Sequence, residues 1–158
     1  MTHRKPMADI AALASTLAPG ERLMGLDLGS KTIGVALSDL GRTIATPNVI
    51  IRRRKFRADA QDLRGLIEEN GVGGLVIGLP LNMDGSEGPR CQSVRQFAAN
   101  LLGEIDIAIA FWDERLSTVS AERVLLEADM TRKRRGQVID KMAAAIILQG
   151  ALDRLAHS

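Results

Sequence analysis

Residues 23–38 read LMGLDLGSKTIGVALS, and the parsing of this stretch decides how the rest of the chain folds. Residues 23–28 are apolar apart from Gly25 and Asp27, which marks a strand covered on both faces instead of one half open to water. Gly29-Ser30-Lys31-Thr32 interrupts the run with turn-forming residues and residues 33–38 resume it, so the spacing predicts an antiparallel hairpin. A second turn, Asp39-Leu40-Gly41-Arg42, leads to a third strand over residues 43–51. The domain therefore opens with a three-stranded antiparallel meander.

Beyond the meander the apolar period lengthens to that of helices. Leu63, Leu66 and Ile67 recur at helical intervals within residues 56–70, and Asn70-Gly71 ends the pattern with residues that tolerate a left-handed backbone. Residues 74–79 (GLVIGL) form a short buried strand stopped by Pro80. Gly88-Pro89 precedes a helix to residue 102 with Val94, Phe97, Ala98 and Leu101 on one face, and residues 105–112 are strand-like again. Ser117 is placed as the N-cap of a helix through residue 127, and a last helix covers residues 136–155.

The order βββ-α-β-α-β-α-α predicts an α/β single domain with a mixed five-stranded sheet, the antiparallel meander plus parallel strands reached by crossover helices on its flanks. A chain of 158 residues has the size of one domain that buries roughly two thirds of its unfolded surface. The domain is expected over residues 21–158. Residues 1–20 form an N-terminal extension in which Ile10, Leu13, Ala14 and Leu17 have helical spacing up to Pro19-Gly20, consistent with a short helix or a loose arm.

An apolar fraction of 46% and a charged fraction of 25% are those of an ordinary globule, and no apolar run approaches the ~20 residues that span a bilayer. No long apolar segment follows His3, Arg4 and Lys5, so a signal peptide is not expected. The single cysteine, Cys91, cannot form an internal disulfide and sits in a helical setting as a packing residue, which fits a reducing cytoplasm. The net charge of +2, from 21 basic and 19 acidic residues, conceals two dense runs, Arg52-Arg53-Arg54-Lys55 with Arg57 and Arg132-Lys133-Arg134-Arg135. Such runs suit a polyanionic partner. The only aromatic residues are Phe56, Phe97, Phe111 and Trp112, too few for a row of base-stacking platforms.

Three carboxylates sit where ordinary surface does not explain them. Asp27 lies inside an apolar strand, and alternation puts it on the same face as Leu23 and Gly25. Its burial requires compensation by something positive. Asp140 shares a helical stripe with Ala143, Ala144, Ile147, Leu148 and Ala151, which should face the sheet. Glu114 follows the strand ending at Trp112, at the carboxyl edge where ligands of open α/β sheets gather. Asp113 competes for that place, and alternation only favours Glu114. Each acid also has a plain structural reading: a hydrogen-bonded carboxylate at Asp27, an ion pair of Glu114 with Arg115, and a helix-dipole partner at Asp140. Taken together the three read as one all-oxygen site for magnesium or manganese. Two such ions about 4 Å apart activate water and stabilise the leaving oxygen of a phosphodiester.

The rivals are weaker. His3 and His157 lie at the chain ends and no G-x-S-x-G elbow is present, which removes a nucleophile triad. The turn after Asp27 holds glycines whose N–H groups can approach a phosphate, yet it is not a Walker A loop because Gly34 is followed by Val35-Ala36. It is similar to the first phosphate loop of actin-like ATPases and sugar kinases, which close two such domains on a nucleotide, whereas this chain has one.

Four ordered motifs carry a closer likeness: GLDLGSKTIGVA at 25–36, VIGLPLNMDG at 76–85, DERLST at 113–118, and IDK at 139–141 leading into AAAIIL at 143–148. With them the chain resembles, over residues 23–152, the YqgF family of RuvX-type proteins, described as pre-16S rRNA nucleases or Holliday-junction-resolvase-like. The resemblance implies an RNase H-like fold and an acidic triad carried onto Asp27, Glu114 and Asp140, binding one or two Mg2+ or Mn2+ ions. It implies a cytoplasmic endonuclease that matures the 5′ end of 16S ribosomal RNA, with structured RNA in a ribosomal precursor particle as partner. Gly29, Ser30, Lys31, Thr32, Asn82, Asp84 and Arg115 are the expected nucleic-acid contacts, and residues 1–20 are where the chain departs from the family pattern. Alternatives are a Holliday junction resolvase on branched DNA, which needs a suitably arranged homodimer instead of a monomer, a nucleic-acid-binding module without turnover, and ATP hydrolysis at the glycine turn.

Overall fold

The computed structural model describes residues 5–6, 9–116 and 132–157, the last helix by its backbone alone up to residue 141. The elements are α1 (Ile10–Ala14), β1 (Arg22–Leu28), β2 (Thr32–Ser38), β3 (Ala45–Arg52), α2 (Phe56–Asn70), β4 (Val72–Leu79), α3 (Pro89–Leu102), β5 (Ala108–Asp113), a 3-10 turn (Glu114–Leu116) and α4 (Arg132–Ala156). They build one five-stranded sheet in the order β3-β2-β1-β4-β5. The meander pairs antiparallel, with Asp27 opposite Gly34 and Val35 opposite Val49, while β1 with β4 and β4 with β5 run parallel. The mixed sheet expected from the alternation of strands and helices is therefore present.

The two faces of the sheet are built differently. Met24, Leu26, Leu28, Leu75, Ile77, Ile109 and Phe111 form one core layer with Leu63 and Ile67 of α2 and Val94, Phe97 and Leu101 of α3. On the other face Leu23, Val76, Ala108, Ala110 and Trp112 meet Leu13 of α1 and Ala143, Ala144, Ile147, Leu148 and Ala151 of α4. Small residues dominate this second layer, so α4 lies close to the sheet. A Cβ on Gly25 would stand 2.7 Å from Leu148 Cβ and 2.9 Å from the carbonyl oxygen of Ala144. Only glycine fits there.

Residues 10–14 belong to this packing. Asp9 caps α1 by accepting from the Ala11 N–H at 2.9 Å, and the fully buried Leu13 packs over Gly74. Arg42, with a left-handed φ of 55°, donates to the Glu21 carbonyl at 2.7 Å and ties the start of β1 to the β2–β3 turn.

Several boundaries differ from expectation for identifiable reasons. β3 starts at Ala45, not residue 43, because the Asp39 carboxylate takes the N–H groups of Thr43 at 2.7 Å and Ile44 at 3.0 Å. Those bonds hold the Asp39 carboxyl down to about 2. β5 starts at Ala108, while Ile105 and Ile107 are buried in the connection before it without joining the ladder. α4 begins at Arg132, so the second basic run lies in its first turns and not in a loop, as suits the high helix propensity of Arg and Lys. The helix expected over residues 117–127, with Ser117 as its N-cap, lies outside the described residues.

Gly25→Ala is expected to lower stability by about 1–3 kcal/mol through overpacking against Ala144 and Leu148. A lower urea midpoint at unchanged m-value would show it.

Candidate active site

Three elements end at one edge of the sheet. β1 carries Asp27 there, with its side chain on the α4 face and 9% of the residue exposed. Its neighbour on β2 is Gly34. On the other side the parallel ladder pairs Leu26 with Ile77, which puts Gly78 at the level of Asp27. Asp27 is thus flanked by two residues without side chains, and space is left above the strands at its position.

Glu114 fills part of that space. β5 pairs Trp112 with Gly78 and Asp113 with Leu79, and the chain then turns back in the 3-10 turn. The turn folds Glu114 over the sheet, so that a Cβ on Gly78 would stand 2.9 Å from its Oε1 and 3.3 Å from its Cγ. Ile147 Cδ1 of α4 reaches the same glycine. Two acids from different elements, β1 and the 3-10 turn, therefore share the α4 face on either side of Gly78.

Asp113 has another fate. It receives Arg115 Nη2 at 2.7 Å, Nε at 3.1 Å and the Arg115 backbone N–H at 2.9 Å. These hydrogen bonds from Arg115, chiefly the side-chain ones, hold its carboxyl below the usual range, and the guanidinium is stabilised in return. Arg115, anticipated as a partner of Glu114, pairs with Asp113, because the tight turn brings it back over the residue two positions earlier.

The backbone of Asp140 falls one helical turn before Ala144, which lies on Gly25. Gln149, further along α4, bonds the Ala45 N–H at 2.8 Å and the Thr43 carbonyl at 3.0 Å, at the Leu23 end of β1. α4 thus runs from the Asp27 end of the strand towards its start. The side chain of Asp140 lies outside the described residues.

The remaining expected contacts divide. The Gly29 N–H donates to the Thr32 carbonyl at 2.8 Å, closing the turn, so this amide is engaged within the hairpin and not held open for a phosphate. Ser30 and Lys31 are exposed, and Thr32 starts β2. Asn82 and Asp84 shape their own loop: the Asn82 Nδ2 donates to Ser86 Oγ at 3.0 Å, and Asp84 accepts from the Ser86 N–H at 2.9 Å and hydroxyl at 2.6 Å. The Ser86 bonds keep the Asp84 carboxyl below its ordinary value. Arg115 Nη1 reaches the Met83 carbonyl at 3.3 Å, so Arg115 joins this loop to the 3-10 turn. Cys91 is fully buried, and burial pushes its thiol up, which disfavours the nucleophilic thiolate.

The mixed sheet in the order β3-β2-β1-β4-β5 with helices on both faces is an RNase H-like fold of the resolvase type, that of a class of phosphodiester hydrolases. The sequence pattern of the RuvX family, described as Holliday junction resolvase, matches residues 21–154. The chain belongs to this family. It is 63% identical over 148 residues to a protein of Paramagnetospirillum magneticum named "Putative pre-16S rRNA nuclease", covering 94% of this chain and 96% of that one. A protein of the same name from Ruegeria pomeroyi is 62% identical over 92% of this chain and 95% of its own. Residues 1–20 lie outside the matched family pattern, although the alignment with the first relative reaches into them. Among solved structures, T. thermophilus RuvC in complex with a Holliday junction substrate has the same fold, with a TM-score of 0.53 at 10% identity over 85% of this chain and 96% of that one.

Arg115→Ala is expected to return the Asp113 carboxyl towards the ordinary range. Because the folded value is depressed, the stability contributed by the pair is present above the unfolded carboxylate pKa and lost as pH falls through the folded one. Carboxyl 13C titration of Asp113 in both proteins checks the shift, and their difference in stability should vanish in acid.

Proposed function

We propose that this chain is an endonuclease that hydrolyses phosphodiester bonds in precursor 16S ribosomal RNA, maturing its 5′ end, with Asp27, Glu114 and Asp140 as an acidic triad for one or two magnesium or manganese ions. The observation that carries the reading is the carboxylate of Glu114 lying over Gly78, at the level of the buried Asp27 and on the same face. The donors are all oxygen, they sit at a sheet edge, and the flanking glycines leave room for a small hard cation with its waters. The choice of RNA is supported by the names of the relatives from P. magneticum and R. pomeroyi.

When bound, such ions stabilise developing charge on the phosphoryl oxygens and lower the pKa of water. The chain's own groups do the rest. Asp27 is held rigid by its strand and Glu114 by the 3-10 turn. Arg115, fixed on Asp113, orders the loop of Asn82 and Asp84 at the rim of the groove. Lys31 and Ser30 stand exposed on the hairpin turn, where a phosphate backbone passes. No helix among the described residues is long and apolar enough to cross a membrane.

A second reading, cleavage of branched DNA, is favoured by the description of the family as Holliday junction resolvase. It needs two active sites facing one junction. Molecular mass in solution and parallel assays on junction DNA and precursor RNA separate the two: a monomer that cuts only the RNA supports the first.

Asp27→Asn should reduce cleavage of a precursor 16S substrate by more than about 100-fold, since even changing the groups that hydrogen-bond to metal ligands costs roughly 10–100-fold. Full activity in that variant rejects the triad. Gly78→Ala should also slow cleavage, by displacing the Glu114 carboxylate 2.9 Å from the new methyl, and Glu114→Gln should add little to it. A wild-type chain that binds the RNA and never cuts it with either metal would be a binding module.

A further inference from the structure

On the side of β1 opposite Asp27 a cavity of about 430 Å³ opens between the hairpin turn and α3, within the range of roughly 300–1,000 Å³ of small-ligand sites. Leu28 and Phe97 form its apolar wall, Arg53 and Arg90 bring guanidinium groups, and Ser30 and Ser93 bring hydroxyls. None of these belongs to the acidic site.

Its arginines differ from several of their neighbours in pairing. Arg54 is neutralised by Asp62 at 2.8 Å, Arg95 by Glu87 at 2.7 Å and Arg115 by Asp113 at 2.7 Å. Among the described residues no carboxylate forms such a pair with Arg53 or Arg90. Arg53 is nevertheless immobilised. Its Nη1 donates to the Gly29 carbonyl at 2.7 Å, its guanidinium lies 5.4 Å from the centre of the Phe97 ring, and its own N–H donates to the Lys31 carbonyl at 2.8 Å. Phe97 is in turn fixed edge-on against Phe56, with ring centres 5.5 Å apart. A cation ordered without an acid has lost its side-chain entropy before any ligand arrives, which lowers the cost of binding an anion.

We propose that this cavity is a nucleotide subsite, taking one unpaired ribonucleotide of the substrate strand with its phosphate on Arg53 and Arg90 and its nucleoside against Leu28 and Phe97. The hydroxyls of Ser30 and Ser93 suit its sugar and base edges, the groups by which unpaired RNA is read. Asp27 and Leu28 are consecutive residues with side chains on opposite faces, so a strand laid over the hairpin turn reaches the acids and the cavity together. The proposal rests on the nucleic-acid reading of the acidic site and names where a flanking nucleotide is held.

The test uses the full chain, free of divalent metal. Titration with uridine or adenosine 5′-monophosphate, followed by 15N–1H NMR, should shift the amides of Ser30, Arg90 and Ser93 saturably, and inorganic phosphate should do so more weakly. Arg90→Ala and Ser93→Trp alter exposed positions; the first should weaken mononucleotide binding roughly tenfold, the worth of a charge-assisted hydrogen bond, and the second should weaken it by filling the cavity. Arg90→Ala should also lower the salt slope for a single-stranded oligoribonucleotide by about 0.7, the value of one phosphate contact. Unshifted amides, or wild-type affinity in both variants, overturn the subsite whatever the cleavage assays give. Equal shifts by phosphate alone overturn the nucleotide assignment. Failure of the nuclease reading would instead be seen as absent cleavage with mononucleotide binding intact.

Discussion

The closeness of α4 to β1 governs the rest of the molecule. At Gly25 the helix backbone itself, through the Ala144 carbonyl, occupies the space where a side chain would begin. Close helices on this face, α4 over Gly25 and Gly78 and Leu13 of α1 over Gly74, explain why it carries Gly74, Val76, Gly78, Ala108 and Ala110 while the other carries Leu75, Ile77, Ile109 and Phe111. Glycine in a strand weakens it by roughly 0.5–1 kcal/mol relative to alanine, and the close helix contact offsets that loss. The sheet is therefore thin on the side of the acids and thick on the other.

A thin layer is what lets carboxylates from separate elements come near one another. Asp27 stands two residues beyond Gly25, about 6.6 Å along the strand, and the Asp140 backbone stands four residues before Ala144, about 6 Å along the helix. The helix runs from the Asp27 end, so the two displacements have the same sense. A bulky residue in place of Gly34 or Gly78 would fill the space beside Asp27, and at Gly78 it would collide with Glu114. The same small residues thus serve packing and open the site.

The meander was legible from its short turns, and both faces of β1 because strand alternation is strict: Leu23, Gly25 and Asp27 do share one layer and Met24, Leu26 and Leu28 the other, whereas the order of the strands was not. The stripe of Ala143, Ala144, Ile147, Leu148 and Ala151 was legible for the same reason at helical period. The local events were not. That Asp113 would capture Arg115, leaving Glu114 to turn inward, depends on a single 3-10 turn whose geometry leaves no periodic signal. The engagement of the Gly29 amide by Thr32 is likewise a property of the closed hairpin and not of its glycine content. The cavity beside Arg53 arises from three segments distant in sequence, the hairpin turn, the end of β3 and the start of α3, and only the dense run of Arg52-Arg53-Arg54-Lys55 hinted at it.

That run also shows why charge must be counted pair by pair. A net charge of +2 predicts little attraction for a polyanion, and a count of arginines predicts too much. Within one run of neighbours, Arg54 is taken up by Asp62 on α2, whereas Arg53 turns to the Gly29 carbonyl and the Phe97 ring, neither of which cancels its charge. At an effective dielectric constant of about 20, a phosphate 4 Å from such a group gains about 4 kcal/mol of Coulomb attraction before desolvation, several times its value in open water. A neutralised arginine offers a polyanion almost none of this. The basic surface of the chain is therefore effective where the fold withholds an acid, as at Arg53, which lies across β1 from Asp27 and offsets the repulsion of a phosphate backbone by the acidic site.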